Sequence, residues 1–145
     1  MKRIFALALI AVMVFSMAAC GGGGGTQVTG DVVSASIPSG WCMVSGTEMF
    51  GQDSCDFICH SKEYELGDAY MQIATSFSDY DSTRAAYADS AWGDPVEFTV
   101  NGITWSGADL GICADIGGTV VTVACYNVDF NDKEVQEILG TIALK

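Results

Sequence analysis

Positive charge is what this sequence has least of: 145 residues carry six Lys and Arg against 18 Asp and Glu, with a single His. A protein that gains affinity by neutralising phosphates needs the opposite balance, so a basic nucleic-acid binder is excluded. One imidazole, His60, provides no histidine set for a metal centre. No G-x-S-x-G motif is present, and Ser106 in Trp105-Ser106-Gly107 has no candidate base in sequence. C-x-x-C is missing as well, which removes the dithiol spacing of a thioredoxin-like site. There is no internal repeat, and a chain of this length has room for one domain, not for a multidomain enzyme.

Half of the residues are nonetheless apolar, and the excess sits at the front. Lys2 and Arg3 precede an uncharged run from Ile4 to Met17 whose only polar residue is Ser16. That run is too short to cross a ~30 Å hydrocarbon core comfortably. A basic start, a short apolar centre and small residues after it predict an export signal over residues 1–19. Its end, Met17-Ala18-Ala19-Cys20-Gly21, resembles the bacterial lipobox, which implies that Cys20 is acylated on sulfur and becomes the mature N-terminus. Ser16-Met17-Ala18 also satisfies the small-x-small rule of ordinary cleavage, and Met17 stands where Leu is usual. The place of Cys20, directly after the apolar run and before a Gly run, favours lipidation. Burial of acyl chains at ~0.8 kcal/mol per CH₂ holds a multiply acylated protein to a membrane stably, so the expected location is the extracytoplasmic face of a cell membrane. Losing residues 1–19 removes two of the six basic residues and no acid, so four remain against 18, a net charge of −14. Residues 20–30, Gly-rich and without apolar bulk, read as a tether, and residues 31–145 as one domain.

Within that domain, strand-like stretches at Val32–Ile37, Trp41–Val44 and Asp56–Ser61 are separated by Pro38-Ser39-Gly40 and a polar stretch from Ser45 to Ser54. Ala69–Phe77 alternates, with Met71, Ile73, Thr75 and Phe77 on one face. Asp79 or Asp81 is positioned to cap a helix running through Trp92, before Gly93-Asp94-Pro95. Asn101-Gly102 joins Val96–Val100 to Ile103–Trp105 as a tight hairpin. Gly117-Gly118 joins Ile112–Ile116 to Thr119–Tyr126, with Gly107 and Gly111 expected to bend a long middle strand. Asn131-Asp132-Lys133-Glu134 resembles a capping box, and Val135, Ile138, Leu139 and Ile142 repeat at helical spacing. The order of elements predicts an α+β fold, an antiparallel sheet with helices packed on its apolar face.

Ile37-Pro38-Ser39-Gly40-Trp41, the mid-chain helix followed by strand-Asn101-Gly102-strand, Val120–Tyr126 and the closing Glu134–Ile142 segment look like small bacterial lipoproteins with the α/β/α sandwich of the PsbP-like fold. The resemblance covers nearly the whole mature domain through structural motifs. It implies a non-enzymatic binding or accessory module with no catalytic residue and no cofactor. The expected partners are the membrane, through Cys20, and an unidentified protein or small molecule.

Five cysteines remain beside Cys20: Cys42, Cys55, Cys59, Cys113 and Cys125. Outside the cytosol they are disulfide candidates, and an odd number leaves at least one thiol. Cys55 and Cys59 on one strand stand ~13 Å apart, beyond the reach of a bridge. Folding Trp41–Val44 back onto Asp56–Ser61 brings Cys42 near Cys59. A two-residue turn at Gly117-Gly118 puts Cys113 opposite residue 122 and Cys125 on the other face; a longer loop makes Cys113 and Cys125 a diagonal pair. The alternative function is a thiol or metal protein centred on Cys55, Cys59 and His60. It is weakened because residues 59 and 60 of a strand point to opposite faces, and because the cysteine spacing is not that of haem attachment. Asp79–Thr83 and Asp129–Glu134 alternate oxygen ligands without the Gly and Glu of an EF-hand, and helix capping accounts for both. Of the three tryptophans, Trp41 and Trp105 read as core and Trp92 as the exposed candidate for stacking on a ligand.

Overall fold

The computed structural model describes residues 25–60, 63 and 67–145. The export signal expected over 1–19 and the lipidation site at Cys20 lie outside the described residues.

Among the described residues ten strands and three short helices follow in chain order: β1 (Thr26–Thr29), β2 (Val33–Ile37), β3 (Cys42–Ser45), α1 (Gly46–Phe50), β4 (Cys55–Cys59), β5 (Tyr70–Thr75), α2 (Tyr80–Tyr87), β6 (Pro95–Val100), β7 (Ile103–Ala108), β8 (Gly111–Ile116), β9 (Thr119–Tyr126), α3 (Lys133–Leu139) and β10 (Ala143–Leu144). All pairings are antiparallel. β1, β2 and β10 form a three-stranded sheet with β2 in the middle, and the other seven form a sheet in the order β3-β4-β5-β9-β8-β7-β6.

The expected α+β architecture, with helices covering one sheet, is therefore not the one observed, and the α/β/α layering implied by the PsbP-like resemblance does not form. The covering layer is mainly a second sheet. Val33, Ala35 and Ile37 of β2 pack into one core with Ile58, Met71, Ile73, Trp105, Ile112, Val121 and Val123 from one face of the large sheet. α3 adds Val135, Ile138 and Leu139 to the same core. The helix expected through Trp92 stops at Tyr87 and is followed by a single 3₁₀ turn, Ser90–Trp92, so it is too short to roof a sheet. The folded unit also starts earlier than expected. Thr26–Thr29, assigned to the tether, pair with Ser34–Ile37, which completes the backbone hydrogen bonding of β2 on its second edge.

The hairpins follow their turn chemistry. Asn101 and Gly102 take φ of 49° and 81°, and Gly117 and Gly118 take 63° and 88°, as two-residue turns between right-twisted strands require. The middle strand expected to bend at Gly107 and Gly111 is instead two strands, because the chain reverses at Asp109-Leu110 and pairs Ala108 with Gly111.

A buried carboxylate joins the layers. Asp56 lies on the core-facing side of β4, fully buried, where its Oδ1 accepts the N–H of Asp31 at 2.6 Å. Its Oδ2 accepts those of Val32 and Val33 at 2.8 and 2.9 Å. The entry to β2 thus donates three backbone N–H groups to one side chain of the large sheet. Asp31 in turn accepts the Thr47 N–H, which holds its carboxyl below the ordinary range.

Candidate functional site

The large sheet turns its second face away from the core, and that face carries the polar chemistry. Counting register from the Asn101-Gly102 turn places Glu97 opposite Ser106, and Ser106 opposite Cys113. α2 crosses these strands because Asp79 caps it, accepting the Ser82 N–H at 2.8 Å, and because Gly111 has no side chain. A Cβ at Gly111 would occupy the place of the Tyr87 ring, which packs edge-on against Trp92 with centroids 4.8 Å apart. Between α2 and β6–β7 lies a groove of about 500 Å³, with Asp81, Arg84 and Ala88 on the helix side and Glu97, Ser106 and Ala108 on the sheet side.

Arg84 organises this groove. Its Nε donates to Ser106 Oγ at 2.9 Å, Ser106 Oγ donates to Glu97 Oε2 at 3.2 Å, and Arg84 Nη2 stands 3.6 Å from the same carboxylate. Ser106 is buried, whereas the Arg84 and Glu97 side chains are 51% and 63% exposed. A serine whose lone pair receives an arginine N–H and whose proton goes to a glutamate is a fixed polar bridge rather than an activated nucleophile. The only imidazole lies on β4's flank, at the far side of the sheet. The arrangement presents a guanidinium with further N–H donors, half exposed and flanked by Asp81 and Glu97.

The expected cysteine candidates separate into one pair and three single thiols. None of the five described cysteines is in a disulfide. Cys42 and Cys59 are direct register partners with sulfurs 3.8 Å apart. Cys55 is buried at the other end of β4 beneath α1, where Gly46 approaches its sulfur closely. Cys113 and Cys125 do not meet, because the Gly117-Gly118 turn is the two-residue kind and pairs Cys113 with Thr122. Cys113 donates to the Ser106 carbonyl at 3.6 Å under α2, and burial pushes its thiol up to about 11 against the pull of Arg84. Cys125 faces the core, and burial pushes it likewise up to about 11. Thiols so raised hold their protons and are poor nucleophiles near neutral pH.

The Cys55, Cys59 and His60 constellation is not assembled. His60 lies tilted by 38° against Trp41 with ring centroids 3.9 Å apart, and its Nδ1 donates to the Gly40 carbonyl at 2.8 Å. Among the described residues no group of three or more His, Cys, Asp or Glu is placed to hold a metal ion. Both acid clusters are helix starts: Asp79 caps α2, and Asp132 caps α3 by accepting the Glu134 N–H. Trp105 is fully buried, with its indole N–H unpartnered among the described residues. Trp41 is half-buried and donates to Glu134 Oε2 at 3.0 Å, which ties β3 to α3. Trp92 is half-buried against Tyr87 rather than presented to solvent.

Sequence reasoning did not single out Arg84 and Glu97 as partners of Ser106. The Asn101-Gly102 turn contained the signal, because its register alone sets Glu97 opposite Ser106. Among the described residues no helix is long and apolar enough to cross a membrane. No family model, curated protein or solved structure matches the chain.

Proposed function

We propose that this chain is an exported lipoprotein, held to the outer side of a membrane through Cys20, whose two-sheet domain is a non-catalytic binding module with the α2 groove as its contact surface. The observation that carries the reading is the junction of sequence and fold. The export segment ends in Met17-Ala18-Ala19-Cys20-Gly21, and only residues 21–25 separate Cys20 from β1. Five residues reach at most about 18 Å even when fully extended, so the domain stays close to the bilayer surface. With a net charge of −14 after loss of Lys2 and Arg3, it is repelled by anionic headgroups and leans outward. The groove adds a partly exposed guanidinium on an otherwise acidic domain, which suits a small polar ligand or a partner loop bearing an acceptor group.

Fatty-acid labelling of cells expressing the parent and Cys20→Ala chains tests the anchor. Label on the parent and none on the variant is expected; an unlabelled parent, or a variant labelled like it, contradicts the reading. Affinity capture from intact membranes with the parent and Arg84→Glu chains tests the groove. A partner lost specifically with the variant is expected, and identical capture by both contradicts the assignment of the contact surface.

A further inference from the structure

Cys42 and Cys59 face each other across the hairpin of β3 and β4. Directly opposed residues of an antiparallel pair have Cα atoms about 4.5–5.5 Å apart, inside the ~4.4–6.8 Å that a disulfide spans. The sulfurs already stand 3.8 Å apart. The remaining cysteines have no comparable counterpart. Cys55 is four positions along the same strand from Cys59, Cys113 lies on β8 beyond β5 and β9, and Cys125 projects from the opposite face. Access also differs within the pair, because Cys42 is half-buried while Cys59 is 1% exposed.

We infer that Cys42 and Cys59 are oxidised to a disulfide, the one bridge that the described cysteines form, when the chain meets a disulfide oxidant outside the cytosol. The presence of the oxidant rests on the export reading above; the pairing does not. The oxidant class is a thiol–disulfide exchange partner, either an oxidised dithiol protein or a small disulfide such as oxidised glutathione. The accessible Cys42 thiolate attacks one sulfur of that disulfide, expels a thiol and leaves a mixed disulfide. The Cys59 thiolate then attacks Cys42 Sγ and expels the second thiol. The chain loses two S–H bonds and gains one S–S bond, and the oxidant takes up two electrons and two protons as two thiols. The bridge closes the segment that contains α1. It also fastens edge strand β3 beside the Trp41–His60 ring contact and the Trp41–Glu134 hydrogen bond.

The full chain, extracted in detergent from the membrane fraction with its thiols blocked before unfolding, provides the test. Cleavage before aspartate puts Cys42, Cys55 and Cys59 on separate peptides, 31–52, 53–55 and 56–67. The expected product is 31–52 joined to 56–67, two hydrogens lighter than the separate peptides, with Cys55, Cys113 and Cys125 blocked only after unfolding. A second arm incubates the reduced full chain with oxidised glutathione and yields the same linked peptides. A different pairing, or no bridge in the second arm, overturns the inference whatever the chain's location. A bridge formed in the second arm but absent from exported chain overturns it for the cell, while recovery in the membrane fraction reports separately on the export reading.

Discussion

Asp56→Asn preserves the shape of the side chain that joins the two sheets and changes only its charge and one acceptor. In the parent, three backbone N–H groups converge on this carboxylate at 2.6–2.9 Å, two of them on Oδ2. Asparagine oriented with its oxygen in the Oδ2 place keeps the Val32 and Val33 donors, now to a neutral acceptor, and turns its own NH₂ toward the Asp31 N–H. Hydrogen bonds to a charged group contribute about 1.5–3 kcal/mol against about 0.5–1.5 for neutral ones, and an unmet buried donor costs about 1–3 kcal/mol. The relief of no longer burying a charge offsets part of this, so the expected loss is about 2–3 kcal/mol for Asp56→Asn and about 3–5 kcal/mol for Asp56→Ala. Against the ~5–15 kcal/mol of an ordinary domain, either loss is large. Urea unfolding followed by tryptophan fluorescence reads it as a lower midpoint at unchanged slope. A midpoint for Asp56→Asn within about 0.5 kcal/mol of the parent refutes the argument that this carboxylate fastens β2 to β4.

Ser106→Ala removes the bridge between Arg84 and Glu97 and is expected to cost about 1 kcal/mol in urea unfolding, with faster hydrogen exchange confined to α2; unchanged exchange there contradicts the groove geometry. Alkaline stability follows from the raised thiols. Cys113 and Cys125 hold their protons to about 11 in the fold, against an ordinary 9.0 when exposed. The native chain therefore binds more protons than the unfolded one across this window, and the stability these two thiols contribute, fully present below pH 9.0, falls as the pH rises toward about 11. Burial raises the Tyr80 and Tyr87 phenols in the same direction. Unfolding midpoints measured across that range test the sign, and a midpoint that rises contradicts it. Reduction of the Cys42–Cys59 bridge, whose partners are 17 residues apart, is expected to lower stability by about 3 kcal/mol. Calorimetry with and without reductant measures that difference, and an unchanged Tm contradicts it.

What the sequence made legible was local. Asn101-Gly102 and Gly117-Gly118 determine their hairpins because two positive φ angles leave few other conformations. Asp132 announces α3 through its own side chain. Non-local features were not legible. Thr26–Thr29 hold one apolar residue, Val28, and follow a Gly run, yet they become a strand because β2 presents an edge to them, with β10 on its opposite side. Ser45-Gly46-Thr47-Glu48 is a complete capping box, with Glu48 N–H donating to Ser45 Oγ at 3.2 Å, but one turn of helix shows no apolar period and reads as loop. Asp56 looks like any polar strand residue until the register of β4 puts it on the core side. The candidate site divides the same way. The closeness of Cys42 and Cys59 followed from folding one hairpin, whereas the meeting of Arg84 with Ser106 required knowing where α2 lies on the sheet.

The claim on which location and function both depend is the fate of Cys20, and mass spectrometry of the mature N-terminus tests it most directly. A chain that begins at Cys20 and carries lipid on that residue is the predicted result. A chain that begins at Ala19, after cleavage behind Ser16-Met17-Ala18, with an unmodified Cys20, contradicts the anchored module.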